Sequence, residues 1–303
     1  MFKELQELAT EARNPKSTNI DKASAIDILR IINDEDQLVP TAVRKEIPNI
    51  AQAIGFIVES FRSGGRLIYV GAGTSGRLGV LDSSECPPTF SSPPHMVQAI
   101  MAGGDAALRQ PVEGAEDSME EGAAAINRSS VSDKDTVVGI CASGRTPFVI
   151  GALTRAAELG ARTVAVTTNP GSRITKSAKV SIAPDVGPEV IAGSTRMKSG
   201  TAQKLVLNML STASMVLIGK VYGNLMIDLR PLSGKLIERA KGILMILTGA
   251  SYDQASSVYE RSGRDVKVSI LMLKGGVDLP KARQLLEKAD GRVAMALDYA
   301  FQG

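Results

Sequence analysis

Short apolar runs alternate with segments of helical periodicity through the middle of the chain, and this alternation constrains the fold more than any other feature. A short apolar run bounded by glycines is typical of a strand in a buried parallel sheet. Five such runs occur: Leu67–Val70, Met96–Met101, Thr136–Cys141, Thr163–Val166 and Val180–Ile182. Because helical segments such as Glu116–Ile126 and Pro147–Leu159 separate them, the sequence predicts an α/β fold. Its core is a doubly wound parallel sheet with helices on both faces.

Predicted helices lie on both sides of this sheet region. Before it, apolar residues recur at helical spacing in Asp21–Ile32 and again from Pro40 to about Phe61. After it, Ser199–Tyr222 and Ser233–Leu247 are each predicted to form one helix. The chain from Gly249 is predicted to form a module of three or four short helices. The expected domains are an N-terminal helical segment (1–56), the sheet domain (57–225) and C-terminal helices that include the small module (226–303).

The composition of the 303-residue chain is that of an ordinary globular protein, with 44% hydrophobic and 22% charged residues. Its net charge of +3 is the difference between 35 basic and 32 acidic residues, and it gives no electrostatic argument for binding nucleic acid. No stretch of the sequence reaches the roughly 18 apolar residues that a membrane span needs. We therefore expect neither nucleic acid nor a membrane among the partners.

Cysteine and histidine are too scarce for a disulfide framework or a metal site. Cys86 and Cys141 are the only cysteines and His95 is the only histidine, so we expect a reducing compartment and no metal ion. Residues Met1–Pro15 carry several charges and lack the uninterrupted apolar stretch of a signal peptide. These features predict a cytoplasmic location.

The loop after the first apolar run, Gly71–Gly76, has the GxGxxG pattern of dinucleotide-binding sites. Three features argue against a dinucleotide. About 60 residues that precede the first strand are predicted to be helical. The acidic residue expected about 20 positions later is missing from Phe90–His95, and the variable positions are the hydroxyls Thr74 and Ser75. Backbone amides and hydroxyls at a helix start suit a phosphate monoester, so Gly73, Thr74 and Ser75 are candidate phosphate ligands.

A second loop with the same chemistry follows the third apolar run. Its residues are Ser143, Gly144, Arg145 and Thr146, and Pro147 then occupies the first position of a predicted helix. A third loop of this kind, Asn169–Ser172, follows the next apolar run. Because ligands of open α/β sheets bind at the carboxyl ends of strands, three such loops at one edge indicate a small ligand that carries a phosphate. The alternative interpretation is that such loops are only turns and helix caps.

Three further stretches, Leu81–Thr89, Val112–Asp117 and Gly187–Thr201, have distinctive sequences. Together with Gly71–Pro88, they closely resemble the N-acetylmuramic acid 6-phosphate etherases. That family shares a signature with the glucokinase regulatory protein. The resemblance extends over essentially the whole chain.

The resemblance implies a sugar isomerase (SIS) fold, a homodimer in the bacterial cytoplasm, and no metal or organic cofactor. The implied partner is a small-molecule sugar phosphate. The family cleaves the lactyl ether of N-acetylmuramic acid 6-phosphate to N-acetylglucosamine 6-phosphate and D-lactate, which serves peptidoglycan recycling. The family's acid–base glutamates fall on Glu85 and Glu116. The C-terminal module is similar to ubiquitin-associated helical modules.

Two carboxyl groups suit this reaction, because one can act as general base and the other as general acid if their pKa values are separated. The hypothesis that Glu85 is the acid and Glu116 the base rests on the resemblance, since the sequence alone cannot order them. Glu189 is a candidate sugar contact or a partner in a structural ion pair. Lys198 and Arg196 could reach the sugar phosphate or the substrate carboxylate, or equally contact the dimer partner. Two other functions stay open: a non-catalytic regulator that binds sugar phosphates, and an aldose–ketose isomerase on the same fold.

Overall fold

The computed structural model describes residues 10–228 and 234–302, which form two compact units. The first unit contains the described part of Met1–Ser84 and all of Pro94–Ser211, and the second contains Glu85–Pro93 and the described part of Thr212–Gly303. Residues 1–9, which make up most of the stretch expected to lack a signal peptide, lie outside the described residues, as does Ser233.

Helices precede the sheet in the first unit, as the apolar spacing predicts. Two short 3-10 turns, Pro15–Ser17 and Ile20–Lys22, come first. They are followed by α1 (Ala25–Asp36), α2 (Leu38–Lys45) and α3 (Ile47–Arg62).

The prediction of one helix from Pro40 to about Phe61 is wrong, because the helix is interrupted at Glu46, between α2 and α3. Pro48 lies in the first turn of α3. A proline has no N–H to donate to the preceding turn, whereas the first turn of a new helix needs no such donor. A helix boundary therefore forms just before it.

The central sheet has five parallel strands in the order β2-β1-β3-β4-β5. Their bounds are β1 (Leu67–Gly71), β2 (Val97–Met101), β3 (Thr136–Ile140), β4 (Arg162–Val166) and β5 (Val180–Ile182). Every residue of β1 and β3 is buried, which explains why these strands are apolar instead of alternating, except at Thr136, whose hydroxyl is hydrogen-bonded to that of Ser60. The predicted α/β fold with a parallel sheet is confirmed.

The other helices of the sheet region are α4 (Gly73–Phe90), α5 (Met119–Arg128), α6 (Pro147–Glu158) and α7 (Lys198–Leu217). Two 3-10 turns, Gly104–Leu108 and Arg173–Ser177, lie between them in the chain. Both α4 and α7 contribute residues to the two units, since the divisions fall after Ser84 and after Ser211.

Helix α5 begins at Met119, so the predicted start at Glu116 is wrong. The hydroxyl of Ser118 accepts the backbone N–H of Glu121 at 3.0 Å and caps the helix. Glu116 consequently lies in the turn before α5 and not on the helix.

Helix α7 ends at Leu217, so its predicted extension to Tyr222 is also wrong. Gly219 adopts a left-handed φ of +81°, a conformation that commonly terminates a helix. The chain then forms a two-stranded antiparallel hairpin of β6 (Val221–Tyr222) and β7 (Leu225–Met226).

The second unit is mainly helical and has a hydrophobic core of its own. Its helices are α8 (Gly234–Thr248), α9 (Tyr252–Arg261), α10 (Val266–Lys274), α11 (Leu279–Lys288) and α12 (Val293–Phe301). Four short helices thus follow the residue at which the small module was predicted to begin. Within residues 10–228 and 234–302, none of the helices is long and apolar enough to cross a membrane.

Helices α5 and α6 cross at backbone contact distance. A Cβ on Gly122 would overlap the carbonyl oxygen of Phe148, and one on Gly151 would overlap the carbonyl oxygen of Met119. Backbone atoms cannot rotate away as a flexible side chain can, so only glycine fits at these two positions. This crossing fixes the start of α5, and with it the preceding turn, against α6.

We expect Gly151→Ala to lower the free energy of unfolding by about 1–3 kcal/mol, because the added methyl group forces the two helices apart. Gly55→Ala is the matched control, since a Cβ at Gly55 in α3 would meet no atom within 4 Å. The control should be neutral or stabilising by up to about 1 kcal/mol. Urea unfolding of both variants tests this, and equal stability of the two would contradict the close crossing.

Candidate functional site

The loop between β1 and α4 brings bare backbone to the carboxyl edge of the sheet. Gly71 and Gly76 approach so closely that a Cβ on Gly71 would lie 2.7 Å from the backbone nitrogen of Gly76. Gly73 begins α4 with a φ of +53°, and a Cβ there would meet no atom within 4 Å. The first turn of α4, whose N–H groups lack partners within the helix, therefore starts beside open space. This arrangement suits an anion.

Two hydroxyls follow Gly73 in this loop. Thr74 is half-buried, whereas Ser75 is buried and donates its hydroxyl proton to Oε1 of Gln203 at 2.9 Å. Among the described residues, Nε2 of Gln203 has no hydrogen-bond partner. Rotation of that amide would let Nε2 donate to the Ser75 hydroxyl and would release the hydroxyl proton for an anion.

A pocket of about 380 Å³ opens beside this loop and has Glu116 in its wall. The carbonyl of Glu116 accepts the N–H of Phe148, in the first turn of α6, at 3.0 Å. The structure thus brings together Gly73 and Glu116, two residues that the sequence predicts to belong to the site. The pocket is lined by Ala72, Gly73, Arg77, Met101, Ala102, Ala107, Pro111, Val112, Glu113, Gly114, Ala115, Glu116 and Asp117.

The second predicted loop folds tightly at the end of β3. Gly144 has a left-handed φ of +68°, and the side chains of Ser143, Arg145 and Thr146 are half-buried. The backbone N–H of Arg145 donates to the Ser143 hydroxyl at 3.3 Å. The buried Cys141 thiol donates to the Thr146 hydroxyl at 3.1 Å. The loop continues directly into α6, whose first turn is bonded to the turn that lines the pocket.

Glu85 lies on α4 in the second unit, whereas Glu116 lies in the first unit. Both side chains are exposed in the single chain. Helix α4 contains Pro87 and Pro88 just after Glu85. Because proline has no N–H, the carbonyl groups four residues before each of them receive no helical hydrogen bond.

Glu189 and Lys198 are both buried and have partners within the protein. The Glu189 carboxylate accepts the backbone N–H groups of Lys198 and Ser199, each at 2.9 Å, and so caps α7. The Lys198 ammonium lies 2.5 Å from Oε2 of Glu35. Lys198 is thus engaged in an ion pair within the protein, which was not predicted for it from the sequence, and direct binding of a ligand by either residue stays a prediction.

Glu35 is an important residue that the sequence reasoning did not single out. Its carboxylate also accepts from Asn14 Nδ2 at 2.8 Å and lies 2.9 Å from the Lys16 ammonium. A signal was available, because Glu35 follows Ile28 by seven positions and Ile31 by four and thus shares the apolar face of α1. A carboxylate at that position is buried and needs a cationic partner.

Asp82 is a second buried acid with a complete set of partners in the first unit. It accepts from the Tyr69 hydroxyl at 2.8 Å, the Asn208 amide at 2.7 Å and the Ser211 hydroxyl at 3.1 Å. Burial raises the pKa of Asp82, and these hydrogen bonds oppose that increase. The network joins β1, α4 and α7. Within the described ranges, no three His, Cys, Asp or Glu side chains are grouped so that they could hold a metal ion.

Two family profiles match the sheet region: the glucokinase regulatory protein N-terminal SIS domain over residues 49–157, and the SIS domain over residues 117–213. An N-acetylmuramic acid 6-phosphate etherase of Salinibacter ruber is 54% identical over 299 residues, which are 98% of this chain and 96% of that protein. One of Clostridium beijerinckii is 53% identical, over 97% of this chain and 96% of that protein. The chain belongs to the N-acetylmuramic acid 6-phosphate etherase family.

Membership of the etherase family confirms the resemblance inferred from Gly71–Pro88 and the three later stretches. The SIS-domain matches confirm the predicted sugar isomerase fold. Among solved structures, a phosphoheptose isomerase of Francisella tularensis is similar with a TM-score of 0.48 and 19% identity, over 64% of this chain and 100% of that chain.

The buried carboxylate of Glu35 has an altered pKa. Burial alone would raise this pKa, but hydrogen bonds from Lys198, Lys16 and Asn14 and the charge of Lys198 outweigh it and lower the pKa from 4.5 to about 2. The folded state therefore binds the proton less tightly than the unfolded chain does. The stability that this group contributes is complete above its unfolded pKa of 4.5 and is lost as the pH falls toward 2.

We expect this loss to lower the free energy of unfolding by roughly 3 kcal/mol as Glu35 becomes protonated. Glu35→Gln should remove that part of the pH dependence, which urea unfolding at a series of acidic pH values measures. Glu59→Gln is the control, because Glu59 is exposed and pairs with Arg162 at the surface. Identical pH dependence in Glu35→Gln and the unaltered protein would contradict the assignment.

Proposed function

We propose that this protein cleaves the lactyl ether of N-acetylmuramic acid 6-phosphate and releases N-acetylglucosamine 6-phosphate and D-lactate in peptidoglycan recycling. The observation that carries the proposal is the 54% identity to a named etherase over nearly the full length of both chains. The pocket that joins the loop after β1 to Glu116 supports it, because a base beside an anion-binding loop is what this reaction needs.

The reaction is an elimination followed by an addition. In the open-chain sugar, carbon 1 is an aldehyde and acidifies the proton on carbon 2, while the lactyl oxygen lies on carbon 3. A base takes the proton from carbon 2, a carbon 1–carbon 2 enolate forms, and its electrons expel the lactyl oxygen, which an acid protonates. Water then adds to carbon 3 of the unsaturated aldehyde and a proton returns to carbon 2, which completes N-acetylglucosamine 6-phosphate.

In our proposal the phosphate binds to the two loops at the carboxyl edge of the sheet. The first loop offers Gly73, Thr74 and Ser75 at the start of α4, and the second offers the segment from Ser143 to Thr146. Open space at Gly73 and the half-buried hydroxyls support this assignment. Glu189 and Lys198 act mainly by holding the start of α7, which their hydrogen bonds support.

We assign the general base to Glu116 and the general acid to Glu85, and we propose that the enzyme is a cytoplasmic homodimer. The position of Glu116 in the pocket wall supports its role as base. Both glutamates are exposed in the single chain, whereas acid and base roles require different environments. Cover from a second copy would supply that difference.

Substitution of each glutamate should separate the two half-reactions. In D₂O, Glu116→Gln should lose both deuterium incorporation at carbon 2 and lactate release, because no base removes the proton. Glu85→Gln should still exchange carbon 2 of the substrate but should release lactate at least about 100-fold more slowly, since the leaving oxygen is no longer protonated. Mass spectrometry of the sugar and an enzymatic assay of D-lactate provide the two readouts.

Glu121→Gln is the control, because this exposed glutamate follows Glu116 closely in the chain and pairs with Arg128 at the surface. It should react like the unaltered protein. Near-normal lactate release by both Glu85→Gln and Glu116→Gln would disprove the pair. Formation of a ketose without lactate would favour the isomerase, and binding without any product would favour the regulator.

A further inference from the structure

Arg77 on α4 is the one basic residue among those that line the Glu116 pocket. It is half-buried, and its guanidinium donates from Nε to the carbonyl of Leu108 at 3.0 Å and from Nη2 to the carbonyl of Ala107 at 2.8 Å. Both carbonyls belong to the 3-10 turn Gly104–Leu108. These two bonds fix the plane of the guanidinium at the pocket wall.

The same contacts leave part of the guanidinium available to a ligand. Nη1 donates to no acceptor among residues 10–228 and 234–302. Three carboxylates, those of Glu113, Glu116 and Asp117, share the pocket with Arg77. An anionic ligand that enters this pocket would be repelled by them unless the fixed positive charge of Arg77 offset the repulsion.

The substrate of the proposed function, on which this inference rests, carries two anions. The phosphate on carbon 6 is proposed to bind to the loops at the sheet edge, whereas no cation has yet been assigned to the lactyl carboxylate. Only four bonds separate carbon 2, where Glu116 takes the proton, from the carboxylate carbon, a reach of no more than about 6 Å with bonds near 1.5 Å. A lactyl carboxylate bound during the reaction must therefore lie close to Glu116, and so in the region of its pocket.

We propose that Arg77 binds the carboxylate of the substrate's lactyl group and thereby selects sugars with an acidic substituent on oxygen 3. A guanidinium held by two backbone carbonyls loses little further freedom when it binds a carboxylate, which favours it over a mobile lysine. Arg77 also holds lactate in place while the bond between carbon 3 and the ether oxygen breaks.

The test compares N-acetylmuramic acid 6-phosphate with its analogue in which the lactyl carboxylate is a neutral carboxamide. The unaltered enzyme should have a kcat/KM at least about 100-fold higher for the acid, as expected for loss of a charge-assisted contact. In Arg77→Gln this preference should fall to within about threefold, mostly because kcat/KM for the acid substrate decreases. Arg77→Lys should keep an intermediate preference, because lysine keeps the positive charge but lacks the paired N–H groups with which a guanidinium binds a carboxylate.

Two controls separate carboxylate binding from a purely structural role. Inhibition by N-acetylglucosamine 6-phosphate, which has no lactyl group, should be unchanged in Arg77→Gln. Arg109→Gln removes an exposed arginine that directly follows the 3-10 turn Gly104–Leu108 and lies outside the pocket. This variant should keep the preference for the acid. Thermal unfolding of each variant checks that it is folded.

An equal loss of kcat/KM for acid and amide in Arg77→Gln would overturn the assignment and leave Arg77 as a support for the turn. A lack of preference in the unaltered enzyme would overturn it without any variant. If the unaltered enzyme releases no lactate from the acid substrate, the proposed function itself fails. That outcome is therefore distinct from failure of the Arg77 assignment alone.

Discussion

All strands of the central sheet run parallel, and this constraint brings the loops that follow three neighbouring strands to one edge. β1 lies between β2 and β3, so the loops after these strands are neighbours as well. The first contributes Gly73, the second contributes Glu116, and the third continues into the helix whose Phe148 N–H binds the Glu116 carbonyl. A strand of opposite direction at any of these places would have put its loop at the far edge of the sheet.

Outside the sheet, a buried ion pair links two segments of the first unit that are far apart in the sequence. The carboxylate of Glu35 and the ammonium of Lys198 are 163 positions apart in the chain, and bringing both out of water costs free energy. Additional hydrogen bonds to Glu35 and the capping of α7 by Glu189 offset that cost. Helix α1 is thereby attached to the start of α7, and loss of Glu35 would leave the buried ammonium of Lys198 without its carboxylate partner.

The sheet could be predicted from sequence because each of its strands is a short apolar run, and all five predicted runs agree with the observed strands to within one residue at either end. Helix ends were less predictable, since they depend on single residues such as Ser118 and Gly219 whose effect is visible only in the backbone. The family could be identified from motifs, whereas the roles of Glu85 and Glu116 stay a prediction. The bond between Glu116 and Phe148, the burial of Glu35 and the position of Arg77 depend on contacts between distant segments, which no local pattern encodes.

The glycine crossing of α5 and α6 has a consequence for how a substrate is received. With no side chain between them at Gly122 and Gly151, the two helices cannot slide independently, and the turn that carries Glu116 is bonded to the first residues of α6. The loop after β3 leads into those same residues. In the proposed mechanism, a phosphate that moved this loop would therefore move the turn of Glu116 with it, so that binding of the sugar and alignment of the proton acceptor would be coupled.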